Sequence, residues 1–464
     1  MNLKSADVEP QKNAENAKKE SCGEGIIYPM DEPPPTPFFS LRSLRPFAAI
    51  PTAEFRMNRR TFLATGFAAL AGTARGAGTL SIAQAFDREV EAFMSARGIA
   101  GGALAVVKDR RLVYARGYGP AVQADSLFRI ASLSKPVTAV AVMKLIEDGK
   151  LDFEQRAFDI VRAEPLLAGD AKPDPRLREI TIRQLLHHTG GWDRDKSFDP
   201  MFRSRAIAKA AGVAAPAMPD AIIRYMLGQP LDFDPGTRYA YSNFGYCVLG
   251  RVIEQITGRK YEEFVRAEIL APMGIRKMQI GASLDGRQAP GEVRYQQASD
   301  GKGESVFDEG KTVPFPYGGF CLEAMDAHGG WLASAVDLAR FAAALDDPEH
   351  CPVLKKESLA KMSEPPVAPV SRRTDGTLAN SFYACGWSVR PVGKDGRANY
   401  SHTGSLPGTA TLLVRRRDGL SWAALFNQRS EDSSLPDGAI DAALHRAADA
   451  VAEWPEEDLF ARFP

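Results

Sequence analysis

A serine and a lysine three residues apart, Ser132-Leu133-Ser134-Lys135, open an apolar run. Val137, Val140, Met143 and Ile146 recur there near helical spacing, and Gly149 supplies a stop. On a helix the two side chains share a face, about 5–6 Å apart at Cβ. An amine so placed can take the proton of a hydroxyl, which a serine nucleophile requires near neutral pH. Ser132 is expected at the helix N-terminus, where free backbone N–H groups favour developing negative charge.

The tetrapeptide alone is not diagnostic. Ser-x-x-Lys recurs at Ser299 and Lys302, in a polar stretch without an apolar face. It recurs again at Ser358 and Lys361, in a lysine-rich segment expected to form an exposed helix. Two other segments discriminate. Tyr241-Ser242-Asn243 follows a Pro235-Gly236 turn and precedes an apolar run over 244–253 that reads as a buried helix. His402-Thr403-Gly404-Ser405 lies between hairpin signals at Lys394-Asp395-Gly396-Arg397 and Arg416-Arg417-Asp418-Gly419, which puts His402 at a strand end. A second His-Thr-Gly, His188-Thr189-Gly190, ends a helix whose Ile182, Leu185 and Leu186 face a core. Gly190-Gly191 reads as its C-terminal cap, and His188 as structural. His187-His188 lacks metal-ligand spacing, and no metal or cofactor is implied.

Taken in order, Ser-x-x-Lys, Tyr-x-Asn and His-Thr-Gly resemble the serine β-lactamase and penicillin-recognising superfamily. The likeness is to its class C side, which includes DD-peptidases, D-amino-acid peptidases and β-lactamase-like carboxylesterases. Segments 180–191 and 329–341, the latter Gly-Gly-Trp-Leu-Ala-Ser-Ala-Val-Asp-Leu-Ala-Arg-Phe, extend it over about residues 85–460. The resemblance implies acyl transfer with Ser132 as nucleophile and Lys135 and Tyr241 as the proton-handling pair, the immediate base being left open. Nearby positive charge on Lys135 is expected to lower the Tyr241 phenol pKa. Asn243, His402, Thr403, Gly404 and Ser405 are assigned to substrate binding, Asn243 touching both Lys135 and substrate. The backbone N–H groups of Ser132 and Ser405 are assigned to the oxyanion hole. His402 stands where a related variant has lysine, so fixed charge for a substrate carboxylate is weaker at pH 7, which mildly favours neutral esters or amides over obligatory anions, although arginines elsewhere can compensate. Phe128, Trp192, Tyr317 and Trp331 are candidate pocket walls.

The expected activity is hydrolysis of a small ester or amide by an esterase- or peptidase-type enzyme. A DD-carboxypeptidase, penicillin-binding protein or weak β-lactamase is the alternative, and a non-hydrolytic binding protein on the same fold is the rival from another class. No Gly-x-Ser-x-Gly elbow is present, which argues against an α/β-hydrolase.

The elements that must position these residues follow from patterning. The chain has 464 residues, 44% hydrophobic and 25% charged, with 58 basic and 58 acidic side chains, which removes an electrostatic case for nucleic acid or anionic membranes. Residues 1–56, with Asp31-Glu32-Pro33-Pro34-Pro35, read as a disordered extension. Residues 57–80 contain Arg59-Arg60 before Phe62-Leu63 and resemble a twin-arginine export signal, too short to span a membrane stably. Met57 is then the expected translation start, the twin-arginine machinery a partner, and the periplasm or exterior the location, with a cytoplasmic enzyme as the alternative. Residues 81–464 are expected to form one α/β domain, an antiparallel sheet flanked by helices. Its sheet lobe spans about 81–125 and 380–464, with a mainly helical lobe of about 126–379 inserted. A hairpin is expected over 101–118, three or four strands over 383–428, a closing helix over 437–454 and a long loop over 285–325. Five cysteines without pattern read as buried free thiols lacking a base partner.

Overall fold

The computed structural model describes residues 80–297, 301–367, 381–392 and 397–464. The 1–56 extension, the 57–80 signal except for Leu80, Ser299 and most of the Lys394–Arg397 turn lie outside the described residues. The described chain begins with the helix Ile82–Arg97. Ser81 caps it by accepting the Gln84 N–H (3.3 Å), while the Gln84 side chain accepts the Ser81 N–H (3.1 Å).

Twelve strands follow in chain order. They are β1 (Gly102–Lys108), β2 (Arg111–Tyr118), β3 (Phe128–Arg129), β4 (Gln279–Ile280), β5 (Lys302–Glu304) and β6 (Thr312–Pro314). Next come β7 (Trp331–Ala333), β8 (Phe382–Tyr383), β9 (Ser388–Pro391), β10 (Ala398–Leu406), β11 (Thr409–Arg415) and β12 (Leu420–Phe426). Seven of them form one antiparallel sheet in the order β2-β1-β12-β11-β10-β9-β8. First and last strands therefore meet: Ala103 pairs with Leu425 and Val106 with Trp422.

The central strands are almost wholly apolar because both sheet faces are covered. Ala103, Ala105 and Val107 enter one core together with Leu413 and Leu425. Leu104 and Val106 enter the other with Leu412, Trp422 and Phe426, beneath the helices Ile82–Arg97 and Ala439–Ala450. Each such large apolar side chain contributes about 1.5–3 kcal/mol on burial. On the first face lies the inserted, mainly helical lobe, in which the helices Ser134–Glu147 and Asn243–Thr257 pack together. The sequence-expected architecture is the one formed. No described helix is long and apolar enough to cross a membrane.

Three local expectations need correction. The C-terminal part of the sheet contributes five strands rather than three or four, the extra one being the two-residue edge strand β8, too short for periodicity to register. Segment 285–325 is not only loop: β5 and β6 pair within it as a hairpin, and Glu323–Met325 is a helical turn. Finally, the left-handed residue after the helix Ile182–Leu186 is His188 (φ 57°), two positions before the expected glycines.

Candidate active site

Ser132 sits in a short 3-10 turn, Ala131–Leu133, that runs into the helix Ser134–Glu147, so the helical spacing to Lys135 is realised with a tighter first turn than expected. Ala131 immediately before it adopts φ 49°, a conformation costing roughly 1–3 kcal/mol for a residue with a Cβ. Surrounding bonds impose it. The Ile130 N–H donates to the Trp331 carbonyl (2.9 Å), the Ile130 carbonyl accepts from Thr411 Oγ1 (3.0 Å), and the Ala131 carbonyl accepts from Ser134 Oγ (2.7 Å). Ser132 stays partly exposed while its neighbours are buried.

Lys135 is fully buried. Its Nζ lies 3.2 Å from Ser132 Oγ, 2.8 Å from Asn243 Oδ1 and 3.0 Å from the His328 carbonyl. Burial, reinforced by the Arg194 charge and opposed by Asp199, holds its pKa well below the usual lysine value. A neutral amine has two N–H groups and one lone pair. The Asn243 and His328 oxygens take the N–H groups, leaving the lone pair for Ser132.

Tyr241 reaches the same serine by a hydrogen bond, and burial pushes its phenol up to about 12 despite that bond and the Arg194 charge. This corrects the expected direction. Desolvation of the phenol itself outweighs the positive charge around it. The Tyr241 ring lies 4.7 Å from Lys135 Nζ and rests on His188, centroid to centroid 4.3 Å. His188 also accepts the Ser242 N–H at Nδ1 (3.2 Å), and Ser242 Oγ caps the helix Asn243–Thr257 at the Gly245 N–H (3.2 Å). The second His-Thr-Gly is thus the support on which Tyr241-Ser242-Asn243 is laid.

Asn243 is less free than expected. Besides Oδ1 on Lys135, its Nδ2 donates to Asp199 Oδ2 (2.6 Å), which fixes the amide so that its oxygen faces the amine. Asp199 also accepts the Met201 N–H at Oδ1 (3.1 Å). Arg194 Nη1 stands 3.9 Å from Asp199 Oδ2, with its guanidinium over the Tyr241 ring (4.8 Å). Sequence reasoning missed Asp199, Arg194 and the His328 carbonyl. Asp199 and Arg194 belong to a polar loop that reads as surface, and a backbone carbonyl carries no side-chain signal.

The His402 segment arrives on β10. His402 lies mid-strand, not at a strand end, because pairing with β11 runs from Tyr400–Arg415 to Leu406–Thr409. It is buried, and both ring nitrogens have protein partners: Nδ1 donates to the Thr403 carbonyl (2.7 Å) and Nε2 accepts from Tyr383 Oη (2.9 Å). Burial lowers its pKa to about 3, so it is neutral at pH 7. Gly404 faces the Ser132 turn so closely that a Cβ there would stand 2.4 Å from the Ile130 carbonyl and 3.1 Å from Ala131 Cβ. Alternation sends the Thr403 and Ser405 side chains to the opposite face, leaving their backbone groups for the site. Pairing with β9 ends at Ser401–Ser388, and the two-residue loop after Leu406 makes Leu406–Thr409 a hydrogen-bonded pair. The Ser405 N–H therefore points away from β11, to an edge unpaired among the described residues.

Phe128, Trp192, Tyr317 and Trp331, candidate pocket walls for which core is the favoured reading, are all buried core. Cys385 does have a base neighbour, His187 Nε2 at 3.6 Å, but burial pushes the thiol up to about 12. Among the described residues no group of histidines, cysteines and carboxylates is placed to hold a metal ion.

Residues 86–447 match the family model described as Beta-lactamase. "Penicillin-binding protein 4" of Amycolatopsis lactamdurans is 30% identical over 343 residues, covering 71% of this chain and 80% of that protein. "Esterase EstB" of Burkholderia gladioli is 28% identical over 54% of this chain and 64% of its own length. Among solved structures, the D-amino acid amidase of Ochrobactrum anthropi SV3 with D-phenylalanine superposes with a TM-score of 0.60 at 20% identity, covering 80% of this chain and 99% of that one.

Proposed function

From the premise that this chain belongs to the Beta-lactamase family and is a serine hydrolase, we propose that it cleaves a small ester or amide through an acyl-enzyme on Ser132. The observation that carries this reading is the buried Lys135 amine, 3.2 Å from Ser132 Oγ, with both its remaining hydrogen-bond partners oxygens. Lys135 is the base in this reading. It accepts the Ser132 proton as Oγ bonds to the substrate carbonyl carbon and the carbonyl electron pair moves onto oxygen. The Ser132 and Ser405 N–H groups receive that oxyanion; one such donor is typically worth about 10²–10³ in turnover. Collapse restores the carbonyl and breaks the bond to the leaving group, which departs with the proton passed through the Tyr241 hydroxyl. Water then repeats the sequence on the acyl-enzyme and frees the acid.

Esterase or peptidase action is favoured over efficient β-lactam hydrolysis because the family relatives include both an esterase and a penicillin-binding protein, and His402 offers no charge. The similarity to a penicillin-binding protein supports the DD-carboxypeptidase alternative. Intact-protein mass spectrometry after a fluorophosphonate and, separately, a penicillin decides between them. A single adduct of either reagent, absent from Ser132→Ala, is expected. An adduct with penicillin moves the reading toward the carboxypeptidase, and no adduct with either reagent moves it to a binding protein. Export by the twin-arginine route remains part of the proposal, tested by N-terminal sequencing of the precursor; a peptide from residues 1–56 overturns the Met57 start.

A further inference from the structure

β10 is held unequally on its two sides. The ladder to β11 runs from Tyr400–Arg415 to Leu406–Thr409, whereas the ladder to β9 stops at Ser401–Ser388. Among the described residues the edge from Thr403 to Ser405 is thereby left without a strand partner, as a segment that offers its Ser405 N–H to an oxyanion requires. Where the ladder ends, two buried side chains take over the lateral tie. His402 Nδ1 lies 2.7 Å from the Thr403 carbonyl, and Nε2 lies 2.9 Å from Tyr383 Oη on β8.

The direction of each bond in this chain is determined. The Thr403 carbonyl can only accept, so Nδ1 carries the imidazole proton. Nε2 of the neutral ring is then a lone pair, and the Tyr383 hydroxyl donates to it. Tyr383 thus selects the tautomer that grips the Thr403 carbonyl. The following residue is Gly404, the type with the least intrinsic restraint on its backbone, and the Ser405 N–H lies just beyond it.

The other end of the chain is seated on the helix that carries Lys135. Tyr383 opens the tight turn between β8 and β9, closed by the Ala384 N–H on the Trp387 carbonyl (2.8 Å). Within that turn Gly386 (φ 77°) packs so closely that a Cβ would stand 2.9 Å from Pro136 Cα and 3.0 Å from the Lys135 carbonyl. The Cys385 N–H donates to the Met362 carbonyl (3.2 Å), which holds the turn in place.

We propose that Tyr383 is a positioning residue for the oxyanion donor: through His402 it ties β10 to a turn seated on the Lys135 helix and so fixes the Ser405 N–H relative to Ser132. This rests on the acyl-transfer reading above and adds a residue to it. A donor of this kind must be held within about 0.5 Å to be effective.

The test is a double-mutant cycle, with kcat and KM measured on a neutral para-nitrophenyl ester. Tyr383→Phe removes the hydroxyl and keeps the ring, which rests on His188 (4.4 Å between centroids). It is expected to lower kcat about tenfold, a fraction of the 10²–10³ typical of losing a whole oxyanion donor, with KM within about twofold. In a His402→Leu background the hydroxyl has nothing to act through, and Tyr383→Phe is expected to change kcat by less than about twofold. An equal loss in both backgrounds, or no loss from Tyr383→Phe alone, overturns the inference. A second measurement needs no variant: 1H–15N correlation of the wild-type His402 ring is expected to show Nδ1 protonated and Nε2 bare at pH 7. The reverse tautomer or an imidazolium overturns the inference as well. Turnover that requires Ser132 but not Tyr383 removes this inference alone. Absence of ester turnover in the wild type, or turnover unchanged in Ser132→Ala, removes the acyl-transfer reading, and the inference falls with it.

Discussion

Ser132-x-x-Lys135 and Ser358-x-x-Lys361 are the same motif at the same helical spacing, and only the surroundings differ. In the second, on the helix Lys356–Met362, the serine hydroxyl donates to Glu147 Oε2 (2.7 Å) and the lysine is exposed. A hydroxyl bound to a carboxylate beside a hydrated ammonium has no neutral amine to take its proton, only a weakly basic carboxylate. In the first, the lysine is enclosed, its pKa is driven down by burial, and two oxygens orient its lone pair toward the hydroxyl. The spacing brings either pair together; desolvation and the oxygens supplied by distant segments act only on Ser132 and Lys135, and on them the proposed chemistry depends.

The most direct way to break this contrast is to remove each amine. Lys135→Met is expected to lower kcat/KM on a neutral para-nitrophenyl ester by about 10²–10⁴. Lys361→Met should stay within about twofold, as an exposed site should. Equal losses in the two variants would dissolve the distinction. Gly404→Ala tests whether the approach of β10 is part of it. The new methyl would meet Thr411 Oγ1 and the Ile130 carbonyl, so a stability loss of about 1–3 kcal/mol in urea unfolding is expected. A drop in kcat/KM of about 10² should accompany it, from displacement of the nucleophile turn.

Asp199→Asn sharpens the contrast with a smaller effect, about tenfold in kcat/KM, by loosening the Asn243 amide. Its pH signature has a definite sign. The Asp199 charge favours protonated Lys135, so removing it lowers the lysine pKa further. Only the neutral amine acts as base, and the acid limb of kcat/KM should therefore move to lower pH. A limb that moves to higher pH would exclude Lys135 as the group observed.

Legibility in the sequence followed the range of the interaction. Ser132 and Lys135 were readable because one helical turn fixes their relation, and Tyr241 and Asn243 because a Pro-Gly turn precedes them and an apolar helical run follows. The strands β1, β11 and β12 were readable because their residues are largely apolar, and β2 because a polar turn at 108–111 sets it up as the return strand of a hairpin. Arg194 and Asp199 were not, since a run of charged residues between turns looks solvated until Trp192 and Asp232 pull it inward. The direction of the Tyr241 shift was missed for a related reason: the sequence shows a lysine nearby but not that the phenol is itself desolvated. His402 was placed at a strand end because turn residues flank its segment, whereas the β10–β11 ladder continues past it on both sides.

The meeting of first and last strands carries a consequence for how the molecule comes into being. During synthesis Ser132 and Lys135 emerge early, yet β1 has no partner on its inner side until β12 leaves the ribosome. The bond from Thr411 that steadies the turn before the serine reaches back across 281 residues. Contacts of such separation form late and slowly. A chain truncated before β11 would hold every side chain of the proposed catalytic set and still lack the frame that aligns them. On the proposed mechanism Ser132 is therefore expected to stay idle in a chain cut before β11 and to become competent when the last part of the sheet closes over the first.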